Sequence, residues 1–403
     1  MKQDVSASSA EKDAAEAGAA ARASFWKSNM RDYGLLVSLL LIMAFFQWRT
    51  DGILLQPGNV TNLILQNSYI VIMALGMLLV IVGGNIDLSV GSIVGFVGAV
   101  AAILMVEYQV PWGLVIPIAI VIGALIGAAQ GWFVAYSKIP AFIVTLAGYL
   151  IFRGLTGNML LGQFVGPFPK AFQGMSAGFI PDFGENDFHY LSMLIGIVGA
   201  ALLLWSGYRR WQRTKHEATG AEPFALVVGK NAIFAILVLG FSFLLASYKG
   251  LPNVLVIMGG LILFYAFVTT RTTVGRRVYA LGGNVLAARL SGIRTERLTF
   301  LTFANMGALA GLAGLIVAAR LNSATPSAGN SFELDVIAAC FIGGVSASGG
   351  AGKVMGVVIG AFFMGVMNNG MSLLGIGVFW QQVVKGIVLL AAVYVDVYQK
   401  SKG

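Results

Sequence analysis

Few side chains in this sequence are placed for covalent or metal chemistry. The two histidines, His189 and His216, lie far apart, and the single cysteine, Cys340, stands inside an apolar run. That set holds no metal-ligand cluster, and one cysteine excludes an internal disulfide. The nearest approach to a nucleotide site is Gly349-Gly350-Ala351-Gly352-Lys353-Val354. A phosphate-binding loop needs a further glycine five positions before Gly352, and a Ser or Thr after the lysine to hold magnesium. Ala347 and Val354 stand there instead. The chain is therefore expected to bind no cofactor and no metal of its own, and to lack an ATP site.

The remaining candidates are amides and isolated charges. Asn62 and Gln66 lie four apart, on one face of a helix, with Asn67 adjacent. Asn368, Asn369, Gln381 and Gln382 supply similar groups near the chain's end. Such uncharged groups suit a weakly polar path for a neutral solute; they equally suit hydrogen bonding between helices. Asp87, with Asn85 and Ser89 beside it, marks a helix break and is placed to cap the helix that follows. Arg153 and Lys385 sit inside apolar runs, where charges are costly and are functional candidates by default. Arg153 is expected to snorkel or to pair with a carboxylate. Asp396 is about three helical turns from Lys385, too far to pair with it.

The elements that must hold these groups are helices in a bilayer. The 403 residues are 58% hydrophobic and only 11% charged, with a mean hydropathy of +0.83. A soluble domain carries about 25% charged residues. Apolar runs occur near 33–48, 60–82, 88–106, 112–136, 140–161, 191–208, 231–248, 253–270, 299–319, 334–347, 354–374 and 378–396. Most reach the roughly 17–25 residues that a spanning helix needs. The 334–347 run is short and either spans or forms a re-entrant half-helix. Continuous runs exclude a β-barrel, whose strands alternate. The expectation is an all-α polytopic membrane protein with about twelve transmembrane helices. Residues 1–32 form a polar, alanine-rich tail without a signal-peptide core, and 33–398 form the transmembrane domain.

The net charge of +9 is explained by loop asymmetry, so no nucleic-acid partner is implied. Lys27 and Arg31 precede the first run, Arg209, Arg210, Arg213 and Lys215 follow the sixth, and Lys400 and Lys402 end the chain. Arg271, Arg276, Arg277, Arg289, Arg294 and Arg297 follow the eighth. Alternating spans put all four clusters on one side, which the positive-inside rule makes cytoplasmic, with both termini. The 162–190 segment, with Asp182, Glu185 and Asp187 against Lys170, falls on the opposite side; its Phe164, Pro167, Phe168, Pro169 and Phe172 suggest a short structured piece. Gly311 and Gly314, and the series Gly356, Gly360 and Gly365, are expected at helix contacts, where small residues admit close approach.

Four polar segments interrupt the apolar chain. They are Gly83-Gly84-Asn85-Ile86-Asp87-Leu88-Ser89-Val90-Gly91; Pro140 to Leu146; Thr273 to Asn284 with Ala287 to Ile293; and Glu333 to Ala339 with Phe341 to Gly344 and Gly349 to Gly352. In the third, Gly275, Gly282, Gly283 and Gly292 permit sharp turns, and Asn284 is placed to cap a short helix through Ala287, Ala288 and Leu290. Positive-inside anchoring accounts for the arginines there, but not for the glycine and asparagine punctuation.

Together and in this order, the four segments resemble the permeases of bacterial monosaccharide ABC importers, the ribose, xylose, arabinose and galactose group. The resemblance covers about 60–396. Two additional spans, 191–208 and 231–248, point to the long xylose-type or multiple-sugar subgroup. Asn85 departs from the small residue or glycine common in the family. The resemblance implies an ABC-importer permease bundle in the bacterial inner membrane, in contact with lipid, and working as a homodimer. A separate ATPase subunit would carry ATP and magnesium, and a periplasmic sugar-binding protein would deliver the sugar. The 271–297 loop would be the coupling loop, with Gly275, Arg276, Tyr279, Gly282, Gly283, Asn284, Ala287, Ala288, Ser291 and Gly292 at the ATPase contact. The competing class is an ion-coupled secondary sugar transporter, which tends to carry membrane-embedded carboxylates or broken helices; few acids fall within the runs.

Overall fold

The computed structural model describes residues 34–183, 188–214 and 224–401. The tail 1–32 and residues Glu185, Asp187, Lys215, His216 and Lys402 lie outside them. Fifteen helices occur among the described residues. The first six are α1 (Gly34–Arg49), α2 (Pro57–Val82), α3 (Val90–Ala102, continued by a π-helical turn Ile103–Glu107), α4 (Trp112–Ala135), α5 (Ala141–Met159) and α6 (Lys170–Ala177). Next come α7 (Tyr190–Thr214), α8 (Phe224–Ala246), α9 (Asn253–Arg271), α10 (Thr273–Gly283) and α11 (Val285–Leu290). The last four are α12 (Thr295–Leu321), α13 (Phe332–Ile342), α14 (Val354–Leu373) and α15 (Val378–Ser401). Ten of these are long and apolar enough to cross a membrane; α1 is shorter, and α13 has 11 residues.

Helix α2 is apolar all round through its second half, Ile70–Val82, the pattern of a helix enclosed by others. Its spanning window is 89% buried, whereas that of α15 is 0% buried, so α2 is the axis and α15 lies outermost. Around α2 pack α12, α14, α13 and α9. Helices α7 and α8 form a hairpin that touches mainly itself. The start of α7 is fixed by Asp182, which accepts the N–H groups of Phe183, Tyr190 and Leu191 at 2.8, 2.8 and 3.0 Å. Partial desolvation opposes its ionisation, but those three donors and nearby His189 outweigh it and hold the carboxyl below the usual aspartate range.

Glycine makes the tightest seam. Gly123 and Gly127 of α4 face Gly307 and Gly311 of α12, and a Cβ on Gly127 would overlap the Phe303 carbonyl oxygen. Only small residues let backbones approach this closely. Gly314 meets α3 at Val94, while Gly356 meets Gly343 just past α13, Gly360 meets Ala339 of α13, and Gly365 meets Asn67.

The segment 322–353 contains the short tenth run. It begins where Asn322 accepts the Phe168 N–H at 2.8 Å and Ala324 exchanges hydrogen bonds with Val165. It ends where the Gly350 N–H donates to the Val82 carbonyl at 2.9 Å, beside α10. The segment thus runs from the α6 face to the α10 face, as irregular backbone followed by the half-helix α13. Irregular backbone at membrane depth must be covered by protein. Here Arg153 donates to the carbonyls of Pro326 (3.3 Å) and Ala328 (2.9 Å), and Gly329 is pressed against the Gly91 carbonyl. Arg153 therefore turns inward to backbone carbonyls, in place of the snorkelling or carboxylate pairing expected of it.

Candidate functional site

The punctuated segment forms a compact module at one end of the bundle. Thr272 caps α10 by accepting the Gly275 N–H, and Asn284 caps α11 by accepting the Ala287 N–H at 2.9 Å. Gly292, at φ +78°, turns the chain into α12. Tyr279 donates to the Gly352 carbonyl at 2.8 Å; burial pushes its phenol above the usual tyrosine value, so it stays a neutral donor. Gly282 lies against the Val82 carbonyl and Gly350, where a Cβ would have no room, while a Cβ on Gly283 would meet nothing within 4 Å. The glycine-rich 349–352 turn is thus a backbone-to-backbone seat for α10.

The predicted coupling residues divide by this geometry. Gly275 and Ala288 are buried inside the module and hold it together. Gly282 and Tyr279 fasten it to the bundle. Arg276, Gly283, Asn284, Ala287, Ser291 and Gly292 are exposed. Leu286 and Leu290 fall outside the predicted set, yet they lie four apart on α11 and are 67% and 81% exposed. Two exposed leucines at that spacing make an apolar knob on an otherwise basic surface. Glu296 joins Arg289 (2.6 Å) to Lys138 (3.0 Å), tying α11 to the α4–α5 turn. Beside it opens a cavity of about 370 Å³ lined by Gly83, Gly84, Asn85, Gly282 and Arg289.

At the helix break, Asp87 stands two residues before the N-cap Ser89 and accepts the Ser89 N–H (2.8 Å) and hydroxyl (2.6 Å). It therefore fixes the cap residue and does not itself bond the helix's first turn. The Ser89 hydroxyl also accepts from the Gln130 amide of α4 at 2.9 Å. Asn85 bonds weakly to the Gly83 carbonyl at 3.3 Å and lines the cavity.

The amides separate into two groups. Asn67 is buried and bonds the Leu63 carbonyl at 2.7 Å, and Asn369 forms a reciprocal amide pair with Asn59 at 2.9 and 3.1 Å. Both serve packing. Asn62 is exposed and Gln66 half-buried; with Tyr69 they make an i, i+4, i+7 stripe on α2. Gln381 donates to Ser372 (3.3 Å) and to the Ile376 carbonyl (2.8 Å), and Ser372 donates to the Asn368 carbonyl. Gln382 is exposed on α15.

Both rows lead to a cluster that the sequence did not disclose. Asp335 of α13 lies 2.9 Å (Oδ1) and 3.1 Å (Oδ2) from the Lys385 ammonium of α15. Tyr69 of α2 and Asn368 of α14 donate to the same Oδ2 at 3.2 and 3.3 Å. Four helices meet at one carboxylate, and Lys385 has its partner on a different helix from Asp396.

An all-helical bundle of span-length helices, with a half-helix crossing and a seated helical module at one end, defines a multi-pass membrane permease. Residues 59–393 match the family described as branched-chain amino acid transport system / permease component, and the chain belongs to that family. It is 44% identical over 370 residues to the xylose transport system permease protein XylH of Escherichia coli K12, covering 91% of this chain and 92% of that protein. The XylH of Haemophilus influenzae is 42% identical over 374 residues, covering 93% and 98%. The ribose import permease protein RbsC of E. coli K12 is 35% identical over 372 residues, covering 92% and 95%. No solved structure matches the chain.

Proposed function

We propose that this chain is the membrane-spanning permease subunit of an ATP-binding-cassette importer that carries a monosaccharide, xylose or a related sugar, across the bacterial inner membrane. The observation that carries this reading is the end-to-end likeness to xylose permeases, 44% identity over 91% of the chain. Nothing in the comparisons favours the ion-coupled alternative.

In this reading the α10–α11 module lies in the cytoplasm with both termini. The exposed Leu286–Leu290 knob seats in a groove of a separate ATPase subunit, which holds ATP and magnesium. The seat of Gly282 on Val82 and Gly350 passes the ATPase's displacement to α2 and, through the 343–353 turn, to α13 and α14. The sugar arrives from a periplasmic binding protein at the α6 face and passes the Asn62–Gln66 stripe. Two copies of the chain enclose the path, because α15 and the Asn62 end of the stripe are exposed in a single copy.

The test is uptake of labelled D-xylose into proteoliposomes containing this chain, its ATPase and its binding protein. Uptake that requires ATP and all three components is expected. Uptake by this chain alone, driven by a proton or sodium gradient, would refute the proposal.

A further inference from the structure

We infer that Asp335, Asn368, Lys385 and Tyr69 form a subsite that binds the hydroxyl groups of the sugar partway along the path; this rests on the permease reading above. Membrane-embedded charges need a reason. Stability does not supply one, because a buried ion pair is often no better than a well-packed apolar pair.

The cluster retains hydrogen-bonding capacity of both signs. Asn368 uses its amide N–H on Asp335, while its Oδ1 is buried and has no donor among the described residues. Such an acceptor costs free energy unless something fills it. Lys385 has three N–H donors; its ammonium engages the two carboxylate oxygens of Asp335, and its side chain stays 15% exposed. A vicinal diol offers hydroxyls that each donate and accept, so one hydroxyl can donate to Asn368 while its neighbour accepts from Lys385. The pair sums to no net charge, which suits a neutral solute. Tyr69 is held in place by stacking on Phe332, with ring centroids 3.8 Å apart and planes 16° from parallel, so the phenol that orients Asp335 cannot swing.

The test uses the complete transporter in proteoliposomes, with labelled D-xylose and D-ribose as probes and sugar moved per ATP hydrolysed as the readout. Asn368→Leu should lower that ratio by about tenfold or more, the worth of a hydrogen bond to a charged or buried partner. Asn368→Ser, which restores an acceptor in altered geometry, should recover part of the ratio and change the preference between the two sugars. A double variant with apolar replacements, Asp335→Leu with Lys385→Met, tolerates folding without the charges and should still lose transport. Wild-type ratios in Asn368→Leu, or in the apolar double variant, would overturn the subsite and leave the permease reading standing. If the unaltered transporter moved neither sugar, the permease reading would be what failed.

Discussion

Gly282→Ala is expected to disconnect the α10–α11 module from the bundle, and Gly283→Ala to be silent. An alanine Cβ at position 282 would overlap the Val82 carbonyl oxygen and lie 2.6 Å from the Gly350 nitrogen. Real Cβ contacts are essentially never under 3.0 Å, so the nitrogen alone requires a retreat of at least 0.4 Å (3.0 − 2.6), and the oxygen requires more. The two atoms struck are the two ends of one hydrogen bond, Gly350 N–H to Val82 carbonyl, at 2.9 Å. Overpacking costs about 1–3 kcal/mol, and losing that bond about 0.5–1.5 kcal/mol. The sum, about 1.5–4.5 kcal/mol, is roughly a tenfold to thousandfold loss of the seated state. The assay is sugar moved per ATP hydrolysed in proteoliposomes, normalised to the amount of permease inserted. Gly282→Ala should hydrolyse ATP with little uptake. Gly283→Ala, whose Cβ meets nothing within 4 Å, should match the unaltered protein. Equal behaviour of the two variants would refute the seat as the transmitting contact.

Leu286→Gln with Leu290→Gln should abolish co-purification of the ATPase while leaving insertion intact; retained co-purification at wild-type yield would remove α11 from that contact. Gln66→Leu should reduce D-xylose uptake without altering ATPase assembly, and an unchanged rate would leave Gln66 with a packing role only. Gly127→Val puts side-chain carbon where the Phe303 carbonyl oxygen already overlaps an ideal Cβ. It should lower the thermal midpoint of the purified protein, by an overpacking cost of about 1–3 kcal/mol, and an unchanged midpoint would contradict the seam. Asp182 has a depressed pKa, so its anchoring of α7 is complete above the ordinary aspartate value of about 3.9 and is lost as pH falls through the lower folded value. Hydrogen exchange at Tyr190 and Leu191 should rise there and not at neutral pH, and Asp182→Asn should remove that pH dependence.

Hydropathy made most of the bundle legible, because a spanning helix has to be apolar over its whole length. The cap at Asn284 was legible too, since its chemistry is local: a polar side chain followed by the amide three residues on. Lys385 was not. Its partner, Asp335, is 50 residues away in sequence, and the nearest acid along the chain, Asp396, shares its helix three turns off, so spacing offered no partner at all. Leu286 and Leu290 were hidden for the opposite reason. In a chain this apolar two leucines carry no signal until a structure shows them exposed on α11. The amides are a third case: sequence leaves path and interhelical bonding open for each, and only the structure shows that Asn369 bonds Asn59 reciprocally and that Asn67 lies against Gly365.

The arrangement around Asp335 also bears on how the protein is made. Synthesis runs from the N-terminus, so Asp335 enters the membrane before its cation exists, and Lys385 arrives on the final helix. Until then a carboxylate enclosed by α2, α13 and α14 has no opposite charge, a state that is strongly destabilised. A chain stopped after α14 would possess nearly every apolar contact of the core but not the cation that Asp335 pairs with. Closure of that charge pair therefore waits for the last helix to join the bundle.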